Sequence, residues 1–255
     1  MLTTSLTFLL TASVVLGGPT LGRHRGCATH IDHEEVTEPT AKIANTAIKV
    51  YWHVISKDSK LAGGNIPDSQ IANQISVLNK DYAGNITWTL GGTTRTVNAD
   101  WFNNVGPSTS QRTAMKASRQ GGKGDLNVYS VGFVSGSAAG LLGYSTFPSV
   151  YSSAPKDEGI VILFSSVPGG STTGYNLGRG GCAGSGSATA GDYVADTPAE
   201  STAASGCPSG RDTCTGASFL ALAPNFMNYS CDACMTQFSA GQMARAETQF
   251  ATYWA

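Results

Sequence analysis

The sequence predicts an α/β (α+β) domain in which strands and helices are interspersed through the first two thirds, followed by an irregular, disulfide-stapled C-terminal part. Three observations point there. Apolar runs of strand character at residues 48–55 (IKVYWHVI) and 159–165 (GIVILFS) are separated by stretches whose apolar spacing is helical. Five of the six cysteines lie at or beyond Cys182. Glycine at 31 of 255 residues, with only 13% of side chains charged, is the composition of a loop-rich globular protein rather than a disordered one.

The elements follow in order. Residues 6–16 form an apolar run ending in small residues, which predicts a secretory signal over residues 1–17; the run is too short to cross a membrane. Residues 18–45 are polar and aperiodic, as expected of a pro-segment or N-terminal arm. The domain proper is expected over residues 46–255. In residues 48–55, alternation puts Val50, Trp52 and Val54 on one face of a strand and Tyr51, His53 and Ile55 on the other. Pro67, Asp68 and Ser69 then start a helix carried by Ile71, Ile75 and Leu78 and stopped near Gly84.

Strands are expected at residues 86–97 and 126–134, with a helix at 111–117 between them and a short strand in 140–147. The run 159–165 reads as a central strand covered on both faces. Residues 166–191, with nine glycines in 26 positions, offer no covering helix, and structureless loops beyond about 12–15 residues are uncommon in compact domains. A closing helix is expected from Met243, Ala246, Phe250 and Trp254.

Net charge is −1, which excludes the electrostatic footprint of nucleic-acid or anionic-lipid partners, and a secreted, monomeric protein is expected. Six cysteines in that compartment suggest disulfides whose pairing spacing cannot assign. Asn85 and Asn228 head glycosylation sequons. The cluster His30, His33, Glu34 and Glu35 sits on the polar arm without a partner ligand and reads as a solvated charge run. His53, on an apolar strand, reads as a core histidine with a hydrogen-bond partner.

Residues 180–200 (GGCAGSGSATAGDYVADTPAE), 206–214 (GCPSGRDTC) and 223–242 (APNFMNYSCDACMTQFSAGQ) resemble secreted fungal metalloproteases of the pappalysin (cytophagalysin) branch of the metzincins. The likeness extends to residues 48–55, to GLLGYSTFP and to GIVILFSSVPGGSTTGYNLG. It implies a twisted mixed sheet with helices and a secreted zinc endopeptidase acting on protein or peptide substrates. Met227 takes the position of the family's Met-turn, and Tyr229 that of an additional zinc ligand or transition-state hydrogen-bond donor. The segment around Cys27 resembles a cysteine switch, in which a pro-segment thiolate occupies the open zinc position; a disulfide with Cys231, or free thiols, are the alternatives. Carried over by position, the resemblance implies bridges of Cys182 with Cys207 and of Cys214 with Cys234. Asp192, Asp196 and Thr197 are candidate oxygen ligands for calcium.

Metzincins hold zinc through H-E-x-x-H-x-x-G-x-x-H, with the glutamate as general base on the zinc-bound water. That motif belongs between the counterparts of Leu177-Gly178 and Gly180-Gly181-Cys182. Here Gly178 runs directly into Arg179, no histidine follows His53, and no glutamate lies between Glu158 and Glu200. The zinc-binding helix after residue 178 is therefore expected to be missing, leaving no catalytic residue. A chain without it is expected to be inactive and poorly folded, since the metal alone can contribute on the order of 10 kcal/mol against a total stability of about 5–15 kcal/mol. An incomplete gene model or splice variant of a protease is one origin; a non-catalytic secreted glycoprotein is the other.

Overall fold

The computed structural model describes residues 46–82, 86–146, 148–172, 194, 196–197, 206–211, 224–228 and 232–254. Its frame is a five-stranded mixed sheet in the order β2-β1-β3-β5-β4, built from β1 (Thr46–Ser56), β2 (Ile86–Val97), β3 (Leu126–Val131), β4 (Gly143–Ser145) and β5 (Ile160–Leu163). The first four in that order run parallel; β4 lies antiparallel to β5 at the edge. Four α-helices are described: α1 (Asp68–Asp81), α2 (Ala99–Asn104), α3 (Ser110–Lys116) and α4 (Ala240–Tyr253).

The alternation expected of β1 sorts its side chains into two cores. Ile48, Val50, Trp52 and Val54 join Ile71 and Ile75 of α1 on one face, where Phe250 and Trp254 of α4 also pack. Ile55 joins Phe102 of α2, Met115 of α3, Tyr129 and Val131 on the other. Helices thus cover both faces, the arrangement that sheets of parallel strands require. The bulge in the β1–β2 pairing falls at Gly91, where Val50 pairs with Leu90 and Tyr51 with Gly92.

Three expectations are corrected. Residues 159–165 do not form the central strand: β5 is second from the edge, and residues 164–166 turn into a 3-10 helix. A continuous apolar run reports cover on both faces, which an off-centre strand has as well. Nor is that strand bare. Val161 and Leu163 lie in the α2–α3 core, and Ile162, 8% exposed, joins the core against which α4 packs. Third, β3 ends at Val131 instead of 134, because Phe133 takes a left-handed conformation (φ 46°) that turns its buried ring toward Tyr144. Helix α2 has no apolar period in the sequence to mark it, although its Asn98 cap, whose side chain accepts from Trp101 N at 3.0 Å, is an ordinary start signal.

Candidate functional site

The described part of the expected site is a tight turn. The Asn225 carbonyl accepts from Asn228 N at 3.0 Å, and the Asn225 side-chain Oδ1 accepts from Met227 N at 2.9 Å. Asparagine at this position therefore closes the turn twice, once through its backbone and once through its side chain. Met227 sits at the third position. Phe226 N donates to Gln237 O at 2.9 Å, and Pro224 O accepts from Thr236 and Gln237, so the turn lies against residues 236–237. The bridge between Cys207 and Cys234, with Cα atoms 5.8 Å apart, staples the approach to that segment.

A second anchor is α4. Ser239 caps it in a capping box: its hydroxyl accepts from Gln242 N at 3.1 Å, and Gln242 Oε1 accepts from Ser239 N at 2.9 Å. Asp196 adds a carboxylate at the positive end of the helix, accepting from the Ser239 hydroxyl and from Gly241 N, both at 2.7 Å. Position 241 has to be glycine for this approach, since a Cβ there would lie 2.5 Å from Asp196 Oδ1. An aromatic series joins the turn to the sheet: Phe226 to Phe238 at 5.0 Å, Phe238 to Tyr82 at 4.7 Å and Tyr82 to Trp88 at 5.3 Å between ring centroids.

His53 is 1% exposed and occupied at both ring nitrogens. Gln120 N donates to Asn127 Oδ1, and Asn127 Nδ2 donates to Gln120 O, both at 2.9 Å, which sets the orientation of the amide. His53 Nε2 must then donate to Asn127 Oδ1 at 2.8 Å, leaving Nδ1 to accept from the Thr94 hydroxyl at 2.8 Å. The ring stacks on Tyr129 at 4.4 Å. Burial holds the imidazole below its usual pKa, opposed by the Asn127 bond and reinforced by Arg119. This is the core histidine the sequence led one to expect, and it has no nitrogen to offer a metal.

A buried charged group beside it had no sequence signal strong enough to be noticed. Lys116, at the end of α3, is 1% exposed; its ammonium donates to the carbonyls of Asp157 and Gly159 and lies 3.7 Å from the Asp157 carboxylate. Arg112 reaches the same carboxylate at 3.1 Å, and Arg119 pairs with Glu158 at 2.9 Å with both side chains almost fully buried. Arg112, Lys116 and Arg119 recur at helical spacing and meet the adjacent acids Asp157 and Glu158 ahead of β5. The hint was present as a basic stripe and an acidic pair, but nothing local connects them.

The other expected residues divide as follows. Met227 lies on the tight turn described above. Cys207 and Cys234 bond to each other, so neither implied bridge, Cys182 with Cys207 or Cys214 with Cys234, forms; pairing follows spatial approach, and a cysteine takes one partner. Asn228 is 1% exposed, which argues against a glycan at that sequon. Both oxygens of Asp196 serve α4. Tyr229, Cys27, Cys182, Cys214, Cys231, Asp192, Asn85, His30, His33, Glu34 and Glu35 lie outside the described residues, as do residues 1–45. Among the described residues no group of three or more His, Cys, Asp or Glu side chains is placed to hold a metal ion, and no helix is long and apolar enough to cross a membrane.

No family model matches the chain. An extracellular metalloprotease of Sordaria macrospora is 39% identical over 227 residues, spanning 81% of this chain and 75% of that protein. Another, of Colletotrichum graminicola, is 36% identical over 284 residues, spanning 96% of this chain and 95% of that one. The fold is similar to that of mirolysin in complex with compound 9 (TM-score 0.62, 25% identity, 83% of this chain and 98% of that chain). It is also similar to Tannerella forsythia mature mirolysin in complex with a cleaved peptide (TM-score 0.59, 26% identity, 85% and 99%). In the Sordaria alignment, 81% of 255 residues is about 207, fewer than the 227 aligned positions; about 20 positions of that relative stand opposite no residue of this chain.

Proposed function

We propose, for a chain that belongs to the extracellular metalloprotease family, that it derives from a secreted zinc endopeptidase of the pappalysin branch of the metzincins and, as it stands, cannot carry out that reaction. Residues 1–17 act as its export signal and 18–45 as a removable arm. The whole family site would act on extracellular protein or peptide substrates. In a complete relative the metal would supply a polarised water as nucleophile and three neutral imidazoles would hold it.

The residues of this chain do not fit that metal. His53 is committed at both nitrogens in the core, and the remaining histidines, His24, His30 and His33, all precede the domain. What supports the reading most is the coincidence of two counts: no histidine after His53, and about 20 aligned positions of a 39% identical relative without a counterpart here. That number of positions would accommodate the 11-residue motif with the rest of a helix. Wholesale loss of a segment, in place of scattered ligand substitutions, favours an omitted exon or splice variant over a decayed pseudoprotease.

The decisive experiment sequences the transcript across the codons for Gly178 and Arg179, then expresses both the present chain and any longer form. A longer transcript encoding H-E-x-x-H, whose product binds one zinc and cleaves casein in a chelator-sensitive way, is the expected result. The present chain is expected to bind no stoichiometric zinc and leave casein intact. Chelator-sensitive cleavage by the present chain sinks the proposal.

A further inference from the structure

We propose that Asn225 and Gln242 are positioning residues that lock the Met227 turn into a single conformation. The inference rests on reading Met227 as the family's Met-turn. Its support is a closed exchange of side-chain amides across 17 residues of sequence. Asn225 Nδ2 donates to Gln242 Oε1 at 2.7 Å, and Gln242 Nε2 donates back to Asn225 Oδ1 at 3.2 Å.

Each amide also has a second task. Asn225 Oδ1 accepts from Met227 N at 2.9 Å, which shapes the turn; Gln242 Oε1 accepts from Ser239 N at 2.9 Å, which caps α4. Capping alone would use one oxygen of residue 242 and would be served as well by glutamate. The Nε2 donor is surplus to the cap, and its partner is the oxygen that bends the turn. Asn225 is 1% exposed, so water cannot replace a lost partner, and an unpaired buried amide is costly. The exchange is fixed in space by Asp196, which accepts from the Ser239 hydroxyl and Gly241 N from a third segment. Turn, helix cap and Asp196 therefore form one polar knot.

The test uses peroxide oxidation of the full chain, followed residue by residue by peptide mass spectrometry, and involves no zinc, so its outcome is independent of whether the chain is a protease. Met115, 0% exposed in the sheet core, is the internal control for general unfolding. Asn225→Ala removes the bond to Met227 N and both bonds to Gln242, and is expected to raise the Met227 oxidation rate at least about tenfold with Met115 unchanged, since one lost buried hydrogen bond already gives an effect of that size. Gln242→Glu keeps an oxygen for the cap but replaces the Nε2 donor with a carboxylate oxygen that faces Asn225 Oδ1; it should raise the Met227 rate at least about threefold in a chain that remains folded. An unchanged Met227 rate in both variants, or equal acceleration of Met227 and Met115, overturns the proposal.

Discussion

His53 carries its chemistry in what surrounds it. Its neutral ring donates through Nε2 and accepts through Nδ1, so protonation would turn an acceptor into a donor facing a hydroxyl and would place a charge near Arg119. Because burial lowers its folded pKa below 6.5, the unfolded chain takes up the proton first as pH falls. Stability from this residue is therefore complete above pH 6.5 and declines below it, by up to about 1.4 kcal/mol per pH unit. Glu158, whose burial raises its pKa, pushes the opposite way at lower pH. The quantity to measure is accordingly the difference in urea stability between the native chain and His53→Gln from pH 7.5 to 5, which should narrow as pH falls. A constant difference would show that the ring does not titrate as its contacts require. Gly159 makes the same point about surroundings: its φ of +135° and the Asn127 carbonyl, 2.7 Å from where a Cβ would stand, leave no room for another residue.

At the level of elements, the basic stripe of Arg112, Lys116 and Arg119 ties α3 and the turn after it to the entry of β5 and so to the β4–β5 edge. Burial outweighs the attraction of Asp157 and Glu158 and pulls the Lys116 pKa down to about 8. The folded chain then releases this proton before the unfolded one does, and stability rises between about pH 8 and 10.5, by no more than about 3 kcal/mol. Above pH 10 Tyr82, raised to about 12 by burial, works against folding because the unfolded tyrosine ionises first. Lys116→Met should flatten the rise between pH 8 and 10 in chemical denaturation. The variant should fold, since Thr146 Oγ1 also donates to the Asp157 carbonyl at 3.1 Å and Arg112 keeps the Asp157 carboxylate paired. A rise of equal slope in the variant would assign the effect elsewhere.

For the molecule as a whole, inserting the corresponding segment of a relative between Gly178 and Arg179 should give a chain whose melting temperature rises with added zinc and falls with chelator, because a ligand that binds only the folded state stabilises it by mass action. A graft whose melting curve ignores zinc would mean the lower half of the site is not shaped to receive it. Much of this molecule was legible in advance because its signals are local. The two faces of β1, the span of α1 and the capped start of α4 are written in apolar period and cap residues. So is the absence of a metal motif, since a missing H-E-x-x-H needs no coordinates to be noticed. What could not be read joins residues far apart: Cys207 with Cys234 instead of the neighbours implied by resemblance, Asn127 of β3 against His53 of β1, and Asn225 against Gln242. Periodicity and capping depend on torsions within one or two turns, which composition and order dictate. Pairing across the sheet depends on which distant surfaces exclude water together, and that is resolved only when the whole chain has packed.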